Sequence, residues 1–203
     1  MNLEKMFETQ KVLRERIDYN EKDRFEKLVL ALLVELGECA NEWRGFKFWS
    51  KDQKPRNFIQ HLCPTCKGTG NESFSVFGED DFEPCVDCDA TGILGESNPL
   101  LEEYVDCLHF VLEIGIELNL ENGIRKTKYK LESIDKQFVE LLNNVCILNS
   151  SVRYEDEEIE ADFEEVWSSF LGLSEMLGFS EEQIEQAYYD KNKINHERQD
   201  VGY

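Results

Sequence analysis

The stretch Ala31-Leu32-Leu33-Val34-Glu35-Leu36-Gly37-Glu38-Cys39-Ala40 decides the fold. It is apolar at nearly every position, as a helix at the centre of a bundle is. Two carboxylates interrupt it three residues apart, so Glu35 and Glu38 project from one helical face. Their mutual repulsion calls for a counter-charge. The arrangement recurs in Leu100-Leu101-Glu102-Glu103-Tyr104-Val105-Asp106-Cys107-Leu108, where Glu103 and Asp106 share a face. If the two helices pack side by side, four carboxylates meet in the interior. Unpaired charge there is costly, whereas a hard divalent cation such as magnesium satisfies it with oxygen ligands and leaves positions for water and phosphate. The other reading is two solvated faces, since 43 acidic residues in 203 make such spacings common.

Outward from these helices the pattern stays helical and predicts an all-α bundle. Leu3, Met6, Phe7, Gln10, Leu13 and Ile17 follow helical spacing, with a break at Tyr19-Asn20, and the second helix runs from about Lys22 to Trp43. A third starts at Pro99, a residue suited to a first turn, and ends near Asn119. A longer segment from Glu121 to Leu148 reads as helix and Asn149 to Tyr154 as its break. Phe163 to Leu173 gives another helix closed by Gly178, and Ser180 with Gln183 caps the last one. The second helix reads as buried nearly all round, Cys39, Cys107 and Cys146 as core thiols, and Glu42, Glu113 and Glu117 as surface charges.

Between about Ser50 and Asn98 the chain turns to Gly, Pro, Asp and Cys, with short aromatic pieces such as Phe74-Ser75-Val76-Phe77. The domain reading is therefore residues 1–50 with 98–203 as the helical body and 51–97 as an insertion. Within the insertion, Cys63-Pro64-Thr65-Cys66 and Cys85-Val86-Asp87-Cys88 form two Cys-x-x-Cys knuckles separated by eighteen residues. That spacing fits one tetrahedral zinc held by four thiolates, closed and hence structural. A redox dithiol or free core thiols are the alternatives, and His61 is a competing ligand. The first knuckle and its glycines look like DnaJ-type zinc modules; the second keeps only the final Gly92.

A net charge of −21 disfavours nucleic acid polymers and anionic membrane surfaces as partners. No apolar run reaches the roughly eighteen residues needed to span a bilayer, and the start Met1-Asn2-Leu3-Glu4-Lys5 lacks a secretion signal's pattern. A cytoplasmic protein is expected.

The C-terminal helix ends Lys191-Asn192-Lys193-Ile194-Asn195-His196-Glu197-Arg198-Gln199-Asp200-Val201-Gly202-Tyr203. Lys191, Asn195 and Arg198 lie on one face and could clamp a polyphosphate. By themselves they also fit a solvated helix end whose cations favour the dipole. Together with Ala31 to Arg44, Phe46-Lys47-Phe48-Trp49-Ser50 and Glu103-Tyr104-Val105-Asp106, this segment resembles the dimeric dUTPases, a branch of the all-alpha NTP pyrophosphatases that includes MazG-like enzymes. The resemblance implies two or more magnesium ions on Glu35, Glu38, Glu103 and Asp106, and cleavage of dUTP, and also dUDP, at the α-phosphate to give dUMP. It implies phosphate binding by Lys191, Asn195 and Arg198, a nucleotide-side role for Lys47 and Trp49, uracil reading by Gln10, and a homodimer. Glu38 is the expected base for the attacking water. The insertion departs from the family pattern. Rival expectations are a MazG-like pyrophosphatase acting on dCTP or non-standard nucleotides, and a non-catalytic zinc-bearing interaction protein.

Overall fold

The computed structural model describes residues 1–72, 82–125 and 127–202. The aromatic piece Phe74 to Phe77 and the terminal Tyr203 lie outside the described residues. Six α-helices dominate these segments: α1 (Leu3–Ile17), α2 (Arg24–Trp43), α3 (Pro99–Glu117), α4 (Ile134–Tyr154), α5 (Ile159–Leu177) and α6 (Glu181–Asp200). The strands are β1 (Ile59–Leu62) and β2 (Ile93–Ser97), a single antiparallel pair. The fold is all-α. No described helix is long and apolar enough to cross a membrane.

Local chemistry sets the helix ends. The Asn2 side chain accepts from the Lys5 amide at the start of α1, and Ser180 with Gln183 forms a reciprocal capping box at the start of α6. Gly178 ends α5 in the left-handed region, at φ 84°, where glycine has no Cβ to clash.

The chain divides into two compact units, one of Met1–Pro55 with Leu100–Tyr203 and the other of Arg56–Pro99. In the helical unit α4 packs on α5 and α2, while α1 packs on α6. Tyr104 of α3 stacks on Phe170 of α5 at 4.4 Å and 9°, and the Tyr104 hydroxyl donates to the Phe170 carbonyl. The core is continuous through Leu32, Leu36, Val105, Leu108, Leu112, Leu141, Val145 and Trp167. In α3, eleven consecutive-turn positions from Leu100 to Gly115 are buried, Glu113 among them.

Four expectations about the helices and the core need correction. Residues 121–125 and 127–133 are not helical. They run across α5, held where Tyr129 N donates to Ser168 O and where the buried Gln137 amide donates to Tyr129 O and Ser169 O. A Cβ at Gly172 would lie 1.8 Å from Tyr129 O, so only glycine admits this crossing. The α4 helix continues to Tyr154 instead of breaking at Asn149, and Glu155 takes the left-handed cap at φ 55°. Helix α2 is not buried all round, because Leu30 is 63% and Val34 50% exposed. Cys146 is exposed, whereas Cys39 and Cys107 are core residues.

In the smaller unit β1 pairs with β2 from Ile59 opposite Ser97 to Leu62 opposite Ile93, with a bulge between His61 and Leu62. Among its described residues the buried cluster is formed by the four cysteines. His61 is turned to Ser97 Oγ at 2.9 Å, away from competition for a metal.

Candidate active site and metal centre

Helix α2 supplies Glu35, and α3 supplies Glu103 and Asp106. One carboxylate oxygen from each lies within 4.8 Å of the others, and all three residues are half-buried. Burial, then repulsion from Asp106 and Glu38, pushes the Glu35 carboxyl up. The same causes, burial first and then Asp106, Glu38 and Glu35, raise Glu103 to about 7. Glu38 is exposed and outside this tight trio, although its charge is felt by both. The opposing charge comes from α6, where Lys191 Nζ donates to Asp106 Oδ2 at 2.5 Å. Crowded oxygen donors, with the proton affinities of Glu35 and Glu103 raised, suit a hard cation such as magnesium, which would replace the missing positive charge.

One turn along α3 from Asp106, a different chemistry begins. His109 and Glu113 are buried, and both line a cleft of about 360 Å³ together with Gln10, Asn195 and Arg198. This size is within the range of small-molecule pockets. Leu13, Ile17, Leu28 and Phe110 supply apolar wall. Two of the three expected phosphate-row residues thus share a cleft with Gln10, and the third, Lys191, sits on the carboxylate trio. Lys47 and Trp49 belong to neither. Lys47 is bonded to Asn41, and Trp49 is 66% exposed, edge-on to Phe46 and Phe48.

The floor of the cleft is a buried polar network. Glu113 Oε2 faces Arg14 at 3.4 Å and Arg24 at 3.3 Å, and Glu117 is paired with Arg14 as well. Glu113 Oε1 accepts from Gln10 Nε2 at 2.9 Å. Gln10 Oε1 then faces His109 Nδ1 at 2.8 Å and the Tyr188 hydroxyl at 2.9 Å; that hydroxyl shares its hydrogen with the Met6 carbonyl. Glu113 is therefore no surface charge, because two guanidinium groups repay its burial. His109 stacks on Tyr188 at 4.5 Å, and burial, with the Lys191 charge nearby, drives it down to about 3. His109 Nε2 and Asn192 Nδ2 are buried without a partner. The sequence reading passed over His109 and set Glu113 aside as a surface charge; their signal is a polar residue one and two turns beyond Asp106 on an apolar helix.

The four thiols of Cys63, Cys66, Cys85 and Cys88 also lie within 4.8 Å of one another. Cys63 and Cys85 sulfurs are 3.7 Å apart, as are those of Cys66 and Cys88. A tetrahedron with metal–sulfur bonds of about 2.3 Å has edges of about 3.8 Å, so the thiols fit zinc. The two knuckles repeat each other bond for bond. Gly70 N donates to Cys66 Sγ and Gly92 N to Cys88 Sγ, both at 3.2 Å. Cys63 N donates to Gly92 O and Cys85 N to Gly70 O, which locks each knuckle to the other. Although burial works against it, amide donation from Gly70 and Gly68 brings the Cys66 thiol down to about 6. Asp89 and Ala90 hold φ 48° and 61°, where the first knuckle has Lys67 and Gly68 at 54° and 87°. The second knuckle thus makes the turn without the middle glycine.

A family sequence profile described as dUTPase matches residues 2–61 and 94–203, leaving out the stretch that holds all four clustered cysteines. No curated protein matches the chain.

Proposed function

Because this chain belongs to the dUTPase family, a family of nucleotide pyrophosphatases, we propose that it hydrolyses dUTP to dUMP and pyrophosphate, with dUDP a second substrate. The observation that carries the reading is the convergence of Glu35, Glu103 and Asp106 from two helices beside Lys191, next to a cleft of nucleoside size. Residues 56–99 are read as a separate module whose four thiolates hold a structural zinc, since a closed all-sulfur site leaves no open position for chemistry.

The roles divide along α3 and α6. Glu35, Glu103 and Asp106, with Glu38 completing the set, would hold two or more magnesium ions. When bound, these supply charge neutralisation for the phosphate oxygens and acidify water. A water oxygen attacks the α-phosphorus in line, the bond to the bridging oxygen breaks, and pyrophosphate departs. Glu38, exposed and outside the trio, takes the proton of that water. Lys191, Asn195 and Arg198 meet the charge that accumulates on the leaving group. Gln10 keeps one amide hydrogen beyond the one it gives Glu113, which it offers to the uracil. Lys47 and Trp49, on the segment after α2, close over the nucleotide from outside. The exposed Leu30 and Val34 on α2 support pairing of two copies, as in the dimeric members of the family.

Pyrophosphate release from dUTP, dCTP, dTTP and ribonucleotides, each with and without magnesium, tests this. Magnesium-dependent release that favours dUTP is expected, and Glu35→Gln should lower it at least 1,000-fold, about the scale of removing a transition-state electrostatic contact. Equal rates on dCTP and dUTP would remove the substrate assignment, and an unaffected Glu35→Gln variant would remove the site.

A further inference from the structure

The hairpin of β1 and β2 in the smaller unit has two outer edges, and only one of them is guarded. Its polar side chains are committed across the ladder, Gln60 to Glu96 and His61 to Ser97. Just past β1, the Cys63 amide donates to Gly92 O just before β2, so the sulfur cluster anchors one end of a two-stranded ladder that would be marginal alone. His61 pairs with Gly95 and Leu62 with Ile93, which makes Leu94, in β2, the extra residue of the bulge. A bulge and a charge such as that of Glu96 are usual guards of an edge strand. The β1 strand, Ile59-Gln60-His61-Leu62, has no extra residue, formal charge or proline, and all four residues are exposed. Among the described residues no third strand covers its outer side, to which alternate amides and carbonyls of a strand point. Around that edge Phe58 is 59%, Leu62 61% and Leu94 54% exposed. Apolar surface gathered in this way marks an interaction site more often than a neutral stretch of surface.

We propose that the outer edge of β1 docks an extended segment of another protein, which adds a third strand and alternates Lys or Arg with apolar side chains. The main chain supplies the pairing, and Phe58, Leu62 and Leu94 supply the apolar contact. Charge selects the partner, because residues 56–99 carry eight carboxylates against Arg56 and Lys67 alone. A basic strand is drawn in and an acidic one repelled. A nucleic acid backbone is repelled for the same reason, which leaves polypeptide as the polymer that meets Phe58. The hairpin holds none of the residues assigned to the pyrophosphatase reaction, so this site is additional to that function and stands independently of it.

The test screens the full chain against a displayed library of random eight-residue peptides, beside a Phe58→Lys/Leu94→Lys double variant that sets cations on the patch. Peptides enriched on the wild type should alternate Lys or Arg with β-branched or aromatic residues. The best of them, made synthetically, should bind the double variant on the order of 10-fold or more weakly. Its form N-methylated at alternate residues should lose binding to the wild type to a similar degree, because the methylated amides cannot donate to a strand edge. Amide NMR signals of Ile59 to Leu62 should move on titration, and their hydrogen exchange should slow. Should the double variant misfold, as circular dichroism and thermal melting would reveal, the N-methylated peptide on the wild type still decides. No enrichment over the double variant, enrichment of acidic peptides, or tolerance of N-methylation overturns the proposal. Displacement of the peptide by a mixed-sequence oligonucleotide also overturns it, as does a sedimentation mass that falls in the folded double variant, since the edge then belongs to a second copy of this chain.

Discussion

Lys191 Nζ on α6 donates a 2.5 Å hydrogen bond to Asp106 Oδ2 on α3, so the bundle places a cation of its own against three clustered carboxylates. Replacing it with methionine keeps the stem and removes the charge. Lys191→Met should lower pyrophosphate release from dUTP about 100-fold or more. It should also raise the proton affinity of Glu35 and Glu103, both of which this ammonium lowers. Steady-state rates and carboxyl carbon NMR check the two effects separately.

Glu103 gives a pH dependence with a defined sign. Its ordinary value is 4.5, and burial with the neighbouring carboxylates raises it to about 7 in the folded chain. The folded state therefore holds a proton that the unfolded state has released, and stability from this group is present below pH 4.5 and lost as pH rises through 7. Thermal melts in a chelator should show a wild-type midpoint that falls relative to Glu103→Gln across that window. Magnesium should reverse the loss at pH 8, because it takes the place of the proton.

Metal analysis of the purified protein should find one zinc per chain. Strong chelation should make Cys63, Cys66, Cys85 and Cys88 reactive to a thiol reagent, while the helical circular dichroism of the larger unit persists. Retention of four unreactive thiols after complete zinc removal would exclude the metal as the holder of the sulfur cluster.

Gly172→Ala should destabilise the helical unit by about 1–3 kcal/mol, the usual range for overpacking. The added methyl meets the backbone oxygen of Tyr129 at 1.8 Å, which cannot rotate aside as a side chain could. Urea denaturation measures the change, and an unchanged midpoint would mean that residues 127–131 leave α5 at little cost.

The helices and their carboxylates were legible because both signals are local. A 3.6-residue apolar period is complete within one element, and so is a charge pair at i and i+3 on an apolar face. Glu113 was not legible. Its meaning depends on Arg14 and Arg24, which lie 99 and 89 residues away in the sequence, and without them it is one more acidic residue in a very acidic chain. The same holds for residues 127–133, whose Lys and Glu content imitates a helix while their actual course is set by a side chain, Gln137, on the following helix. Cys146 shows the limit of residue type as a guide to burial, since its face of α4 is left open. The four clustered cysteines were easy to read for the opposite reason: paired spacing is itself the geometric requirement of the site.

Each cysteine knuckle contributes two sulfurs, and each donates an amide hydrogen to a carbonyl of the other. Neither half is complete without the other, since the first knuckle alone has two of the four thiols and none of the reciprocal bonds. If zinc is the holder, a chain truncated between Cys66 and Cys85 would be left with half a ligand set and no partner for the Cys63 amide, so the site would be lost as a unit.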